Sequence, residues 1–130
     1  MELSRLIKLL RILVETPSPS GREDEVISII SSYLNEKGID YKIDEVNKNL
    51  IIQGKVNFWV VTHLDTHPES YAFKFDGNYA YGTGVCDAKG SVAAILKALD
   101  EIADLNFGVA FLSDEEEGGK GSVGFSRRYS

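Results

Sequence analysis

Three short clusters in this chain carry side chains that bind cations or move protons: His63-Leu64-Asp65, Asp87 within Tyr81–Gly90, and Asp114-Glu115-Glu116-Glu117. A neutral imidazole is a good zinc ligand, and a neighbouring carboxylate can fix its tautomer and raise its basicity. Alternate residues of an extended chain face the same way, so His63 and Asp65 are expected to project together. Taken alone, this pair reads more readily as a surface or turn feature, and His67, just before Pro68, as a loop histidine. Asp87 follows Gly82-Thr83-Gly84 and precedes a helical pattern, so alone it reads as a helix N-cap. A phosphate loop is excluded because Lys89-Gly90-Ser91 inverts the required order, and a dinucleotide fingerprint because Asp87 stands where its third glycine belongs. Cys86 reads as a small core filler, with no placed base to make it a nucleophile. Four consecutive acids are usually a solvated face. Here they end an apolar run and precede Gly118-Gly119-Lys120-Gly121, and like charges packed at a sheet edge repel unless a cation or a shared proton relieves them. A divalent metal reconciles all three acidic sites.

The elements that must position these groups follow from periodicity. Leu3, Leu6, Ile7, Leu10, Leu13 and Val14 recur at helical spacing, predicting a helix over Met1–Thr16 that Pro17 and Pro19 stop. Ser20 is a candidate N-cap for a second helix, with Glu23, Asp24 and Glu25 in its first turn and Gly38 at its end. Strands are expected at Ile39–Val46, Asn49–Gln53 and Phe58–His63, the last with a nearly continuous apolar and β-branched run, Phe58–Thr62, of the kind that marks a central strand buried on both faces. Asp76-Gly77-Asn78 predicts a hairpin turn, Ala88–Ala103 a helix and Phe107–Leu112 another buried strand. This order predicts an α/β layer fold with parallel elements. Val123–Ser130 resembles a helix just beginning, so the sequence is expected to be cut from a longer one.

The chain has 130 residues, 43% of them apolar, enough for one core. A net charge of −6 argues against nucleic acid or an anionic membrane as partner. One cysteine excludes an internal disulfide, no run is long enough to span a membrane, and the N-terminus is unlike a signal peptide, so the expected location is cytoplasmic.

Four motifs in order resemble those of the zinc-dependent amidohydrolase and peptidase family that contains acetylornithine deacetylase, succinyl-diaminopimelate desuccinylase, carboxypeptidase G and aminoacylase. Thr16-Pro17-Ser18-Pro19-Ser20-Gly21 resembles its substrate-side loop, Val61–Thr66 its His-x-Asp-Thr motif, and Tyr81–Gly90 its Gly-x-Gly-x-x-Asp-x-Lys-Gly motif. Ser113-Asp114-Glu115-Glu116 with Gly121-Ser122 resembles its Asp-Glu-Glu motif. The resemblance implies a three-layer helix–sheet–helix catalytic domain of a di-zinc hydrolase, with residues 1–130 as its N-terminal part and the lid or dimerisation domain and later ligands downstream. It also implies roles: His63 binds the first zinc, Asp65 orients it, Asp87 bridges two metals, Glu115 is the general base and Glu116 binds the second metal. A register one residue later would use Glu116 and Glu117; Asp114 before the pair and the position of Gly121-Ser122 favour the earlier one. A non-proline cis peptide at Asp87–Ala88 and cobalt as a substitute metal belong to the same expectation. So do an amide substrate or amino-group carrier protein as partner, and a homodimer for the full-length form. The branch most resembled is the archaeal-type acetyl-lysine/acetylornithine deacetylases, which release lysine or ornithine from an amino-group carrier protein. An exopeptidase or aminoacylase is the alternative enzyme, and a metal-free α/β interaction module the alternative of another class. The 130-residue chain alone is expected to hold metal weakly and to be inactive.

Overall fold

A computed structural model describes residues 2–55, 58–102 and 104–129 of the chain. The predicted element ends at Met1, Ala103 and Ser130 lie outside the described residues. In chain order the elements are α1 (Glu2–Val14), α2 (Asp24–Glu36), β1 (Lys42–Asp44), β2 (Asn49–Gln53), β3 (Trp59–His63), β4 (Lys74–Phe75), β5 (Ala80–Tyr81), α3 (Gly90–Leu99), β6 (Gly108–Leu112) and α4 (Lys120–Tyr129). The main sheet runs β1-β2-β6-β3, and β4 and β5 form a separate hairpin. β6 is antiparallel to β2 and parallel to β3, so the sheet is mixed around one parallel pair.

Strand alternation sorts the side chains into two layers of contact. Leu50 and Ile52 of β2, with Val109 and Phe111 of β6, pack against α1, α2 and α3 in the main core. Ile51, Ala110 and Leu112 face the other way, toward Trp59 and toward Phe125 and Tyr129 of α4. Trp59 meets Phe125 edge-on at 5.0 Å, a geometry in which ring edge and face attract. Helices therefore cover both faces of the sheet, in the three-layer arrangement expected. No helix among the described residues is long and apolar enough to cross a membrane.

Three expectations are corrected. The β3 run is not central: among the described residues it pairs only with β6, and Val61 is 47% exposed. The strand buried along its whole length is β6, between β2 and β3. The predicted Ala88–Ala103 helix begins later, at Gly90, and ends at Leu99, leaving Ile102 exposed. It is preceded by a wide turn, Val85–Lys89, in which Asp87 (φ −134°, ψ 86°) and Ala88 (φ −134°, ψ 27°) are not helical. The Asp87–Ala88 peptide is cis, as expected. Finally, Ser20 is not an N-cap: α2 starts at Asp24, and the Ser20 hydroxyl is used elsewhere.

Phe111 is fully buried in the middle of the main core, so truncating it leaves a large cavity. Phe111→Ala is expected to lower stability by about 3–5 kcal/mol in urea denaturation, and a loss under about 1 kcal/mol would contradict this packing.

Candidate metal centre

The site forms where the parallel pair ends. His63 closes β3 and is in register with Leu112 of β6, so the segments that follow both strands leave the same edge of the sheet. In open α/β sheets that carboxyl edge is where ligands bind. The Val85–Lys89 turn brings Asp87 to the same place, with His63 Nε2 2.8 Å from Asp87 Oδ1. From the β6 side, Glu115 Oε2 lies 3.6 Å from His63 Nε2. His63, Asp87 and Glu116 each offer one ligand atom, and these atoms all lie within 4.8 Å of one another. Glu117 is exposed and outside that group.

Asp65 organises the surroundings. It is fully buried. Its main-chain carbonyl accepts a hydrogen bond from His63 Nδ1 at 2.8 Å, which leaves Nε2 facing Asp87. The Asp65 carboxylate stands farther from the ring, with Oδ1 3.5 Å from Nδ1. Instead it accepts the amides of Glu115 (Oδ1, 2.9 Å) and Glu116 (Oδ2, 2.9 Å) and the Ser20 hydroxyl (Oδ2, 2.6 Å). One carboxylate thus ties the end of β3, the loop after β6 and the loop after α1 into one block.

The charges explain what the cluster wants. Burial pushes the His63 pKa down, but the hydrogen bond to Asp87, the Asp65 carbonyl and the charges of Glu115 and Asp65 outweigh it, and the net shift is upward. Glu116 is raised by desolvation, by the charges of Asp87 and Glu115, and by a hydrogen bond to Asp87. Acids gathered around one imidazole call for positive charge at Nε2, supplied by a proton or by a metal ion. One imidazole and two carboxylates in reach of a common point form a donor set that suits zinc.

Several supports were not legible as such. In sequence Lys89 is the lysine of the Tyr81–Gly90 motif and helps exclude a phosphate loop, with no structural role given to it. It is 2% exposed and its ammonium donates to the carbonyls of Leu13 (2.5 Å) and Thr16 (2.9 Å). It pins the Asp87 turn to the end of α1. Burial lowers its pKa from 10.5 to about 8. Gly84, at φ +79°, opens the turn; a Cβ there would lie 2.6 Å from Thr66 Cγ2. Buried Asn49 accepts the Ser113 amide and donates to the Gly121 carbonyl, closing the acidic loop at both ends. Cys86, expected in the core, is exposed because the wide turn carries it outward. It lines a cleft of about 390 Å³ with His67, Tyr81, Gly84, Asp87 and Glu116.

Residues 59–129, more than half of the chain, match the family model described as peptidase family M20/M25/M40. The chain belongs to this family. A protein of Pyrococcus abyssi provisionally named a LysW-lysine/LysW-ornithine hydrolase is 36% identical over 118 residues, which cover 89% of this chain and 35% of that protein. A tripeptidase from Staphylococcus aureus superposes with a TM-score of 0.73 at 25% identity, over 92% of this chain and 39% of its own. A Bacillus subtilis protein described as a dinuclear metal-binding peptidase of the M20 family has the same fold, with a TM-score of 0.69 at 21% identity over 98% of this chain and 40% of its own. The chain spans about a third of the length of the Pyrococcus protein.

The buried Lys89 carries a pH prediction. Between its folded pKa of about 8 and its unfolded value of 10.5, the unfolded chain holds a proton that the folded chain has released. Stability should therefore rise with pH across that window, by up to about 3 kcal/mol, relative to a Lys89→Met variant in which the group is absent. Urea denaturation of both proteins through the window measures it; a pH-independent difference would contradict it.

Proposed function

We propose that the whole protein of which this chain forms part is a metal-dependent hydrolase of linear amides, releasing lysine or ornithine from an N-acyl or carrier-protein conjugate. The observation that supports it most is the convergence of His63, Asp87 and Glu116 from three separate segments onto one point. The similarity to the Pyrococcus protein supports the choice of conjugate. In this reading residues 1–130 are the N-terminal part of the catalytic domain.

His63 and Asp87 would hold one zinc, and Asp87 and Glu116 the second. Zinc bound there supplies a Lewis acid that activates water and polarises the amide carbonyl. Asp65 holds the His63 ring through its carbonyl, so that Nε2 is presented as the ligand atom. Glu115 is the general base: its carboxylate is 55% exposed, 3.6 Å from His63 Nε2, and its main chain is fixed by Asp65. From there it takes a proton from the attacking water and returns it to the leaving amine. The preference for Glu115 and Glu116 over Glu116 and Glu117 is supported by Asp65, which holds the amides of the first pair. Among the described residues each zinc would find two protein donors, where a catalytic site uses about three. The chain alone is therefore weakly metal-binding and inactive. A peptidase acting on short peptides is the second reading, supported by the likeness to the Staphylococcus tripeptidase.

Zinc calorimetry on the chain is expected to show weak binding that His63→Ala and Asp87→Ala abolish. Tight binding of two ions, or binding that ignores both substitutions, would overturn the ligand assignment. In the whole protein, Glu115→Gln should lower kcat by about 100-fold or more with KM and zinc content unchanged. Assays on lysine conjugates and on tripeptides separate the two substrate readings, and turnover of neither by the zinc-loaded protein would sink both.

A further inference from the structure

We propose that Glu23 is a positioning residue of the metal centre, setting the turn at Asp114–Glu116 so that Glu115 and Glu116 face His63 and Asp87; this rests on the metal-centre reading above.

The side chain is in the wrong place for its sequence role. An acid in the first turn of a helix is ordinarily solvated and favours the helix dipole. Glu23 is instead 3% exposed, and it makes no capping bond to α2. Its Oε2 accepts the amide of Asp114 at 2.9 Å, from a residue 91 positions later. Asp114 has φ +65°, in the left-handed region that is uncommon for residues with a Cβ and that aspartate adopts more readily than most. The next two amides, of Glu115 and Glu116, are held by Asp65. Three consecutive amides are thus received by two buried carboxylates, one from each flanking loop. The turn cannot rotate without breaking bonds to both.

Burying an acid for this purpose is costly. Desolvation raises the Glu23 pKa, the amides of Asp114, Gly21 and Glu23 oppose the rise, and the charge of Asp65 adds to it. The carboxylate takes amides from both sides, Gly21 and Glu23 at the entry to α2 and Asp114 in the acidic turn, and so ties that turn to the start of the helix. The loop it holds carries Glu116, one of the three grouped ligands, and Glu115, beside His63.

Hydrogen exchange on the metal-free chain, resolved by residue, reads the turn directly, and cobalt titration followed by its visible absorption reads the centre. Glu23→Ala is expected to speed exchange at Asp114, Glu115 and Glu116 about tenfold or more and to leave Val109, Ala110 and Phe111 protected. It should weaken cobalt binding by about tenfold or more and alter the absorption band. Glu23→Gln keeps one acceptor oxygen and should produce smaller shifts in the same direction, about threefold in exchange; it decides the matter if Glu23→Ala does not fold. Unchanged exchange at the three amides overturns the role of Glu23. Faster exchange there with cobalt affinity and spectrum intact reduces it to a structural contact and also overturns the proposal. Wild-type chain that binds no cobalt at all overturns the metal-centre reading instead, while the exchange data still judge whether Glu23 sets the turn.

Discussion

The arrangement depends on the buried carboxylate of Asp65. Fully removed from solvent, it stands only because two amides and a hydroxyl satisfy its oxygens. Those donors come from distant parts of the chain, so the desolvation requirement of one side chain dictates how three loops meet. The Thr16–Gly21 loop is held by further bonds in the same place: the Ser18 hydroxyl donates to the Leu64 carbonyl, and the Thr66 amide donates to the Ser18 carbonyl. What looks in sequence like a proline-rich break after α1 is a strut beside the metal centre.

Around that anchor the charges are divided by depth. Asp65 and Glu23 are buried and their oxygens accept main-chain amides, with the Ser20 hydroxyl also on Asp65. Asp87, Glu115 and Glu116 are exposed; Asp87 and Glu116 line the cleft and Glu115 Oε2 lies 3.6 Å from His63 Nε2. The inner acids fix backbone and the outer acids are free to meet a cation. The same residue type thus serves two purposes, separated by a few ångströms and by access to water.

The outer groups were legible in the sequence as a set of motifs in order, although each alone reads as a surface or capping feature. His63 and Glu116 follow apolar strand patterns and Asp87 precedes a helical one in a glycine-rich stretch, and the structure brings those three together. The helices α1 and α2, the strand β2 and the hairpin were legible from periodicity and turn residues for the same reason. The inner residues were not. Glu23 lies in a run of acids that local rules assign to a helix start, and its partner is an amide 91 residues away. Lys89 shows in sequence as a motif lysine, but nothing local reveals the burial and the two carbonyl partners that decide where the Asp87 turn sits. The order of strands was also hidden: β3 and β6 are both apolar runs, and which of them is central depends on long-range pairing that composition does not encode.

The parallel pairing of β3 with β6 has a consequence for how such a chain can change. Because His63 and Leu112 are held side by side by the ladder, the stretch between them, with its hairpin and α3, can differ in length without altering the distance between the strand ends. A residue added at Leu64 or Ser113 has no such latitude, since it would carry Asp65 or Glu116 out of register with the other. Variation in the cleft walls is thereby separated from the spacing of the ligands, and new walls can be tried around an unchanged centre.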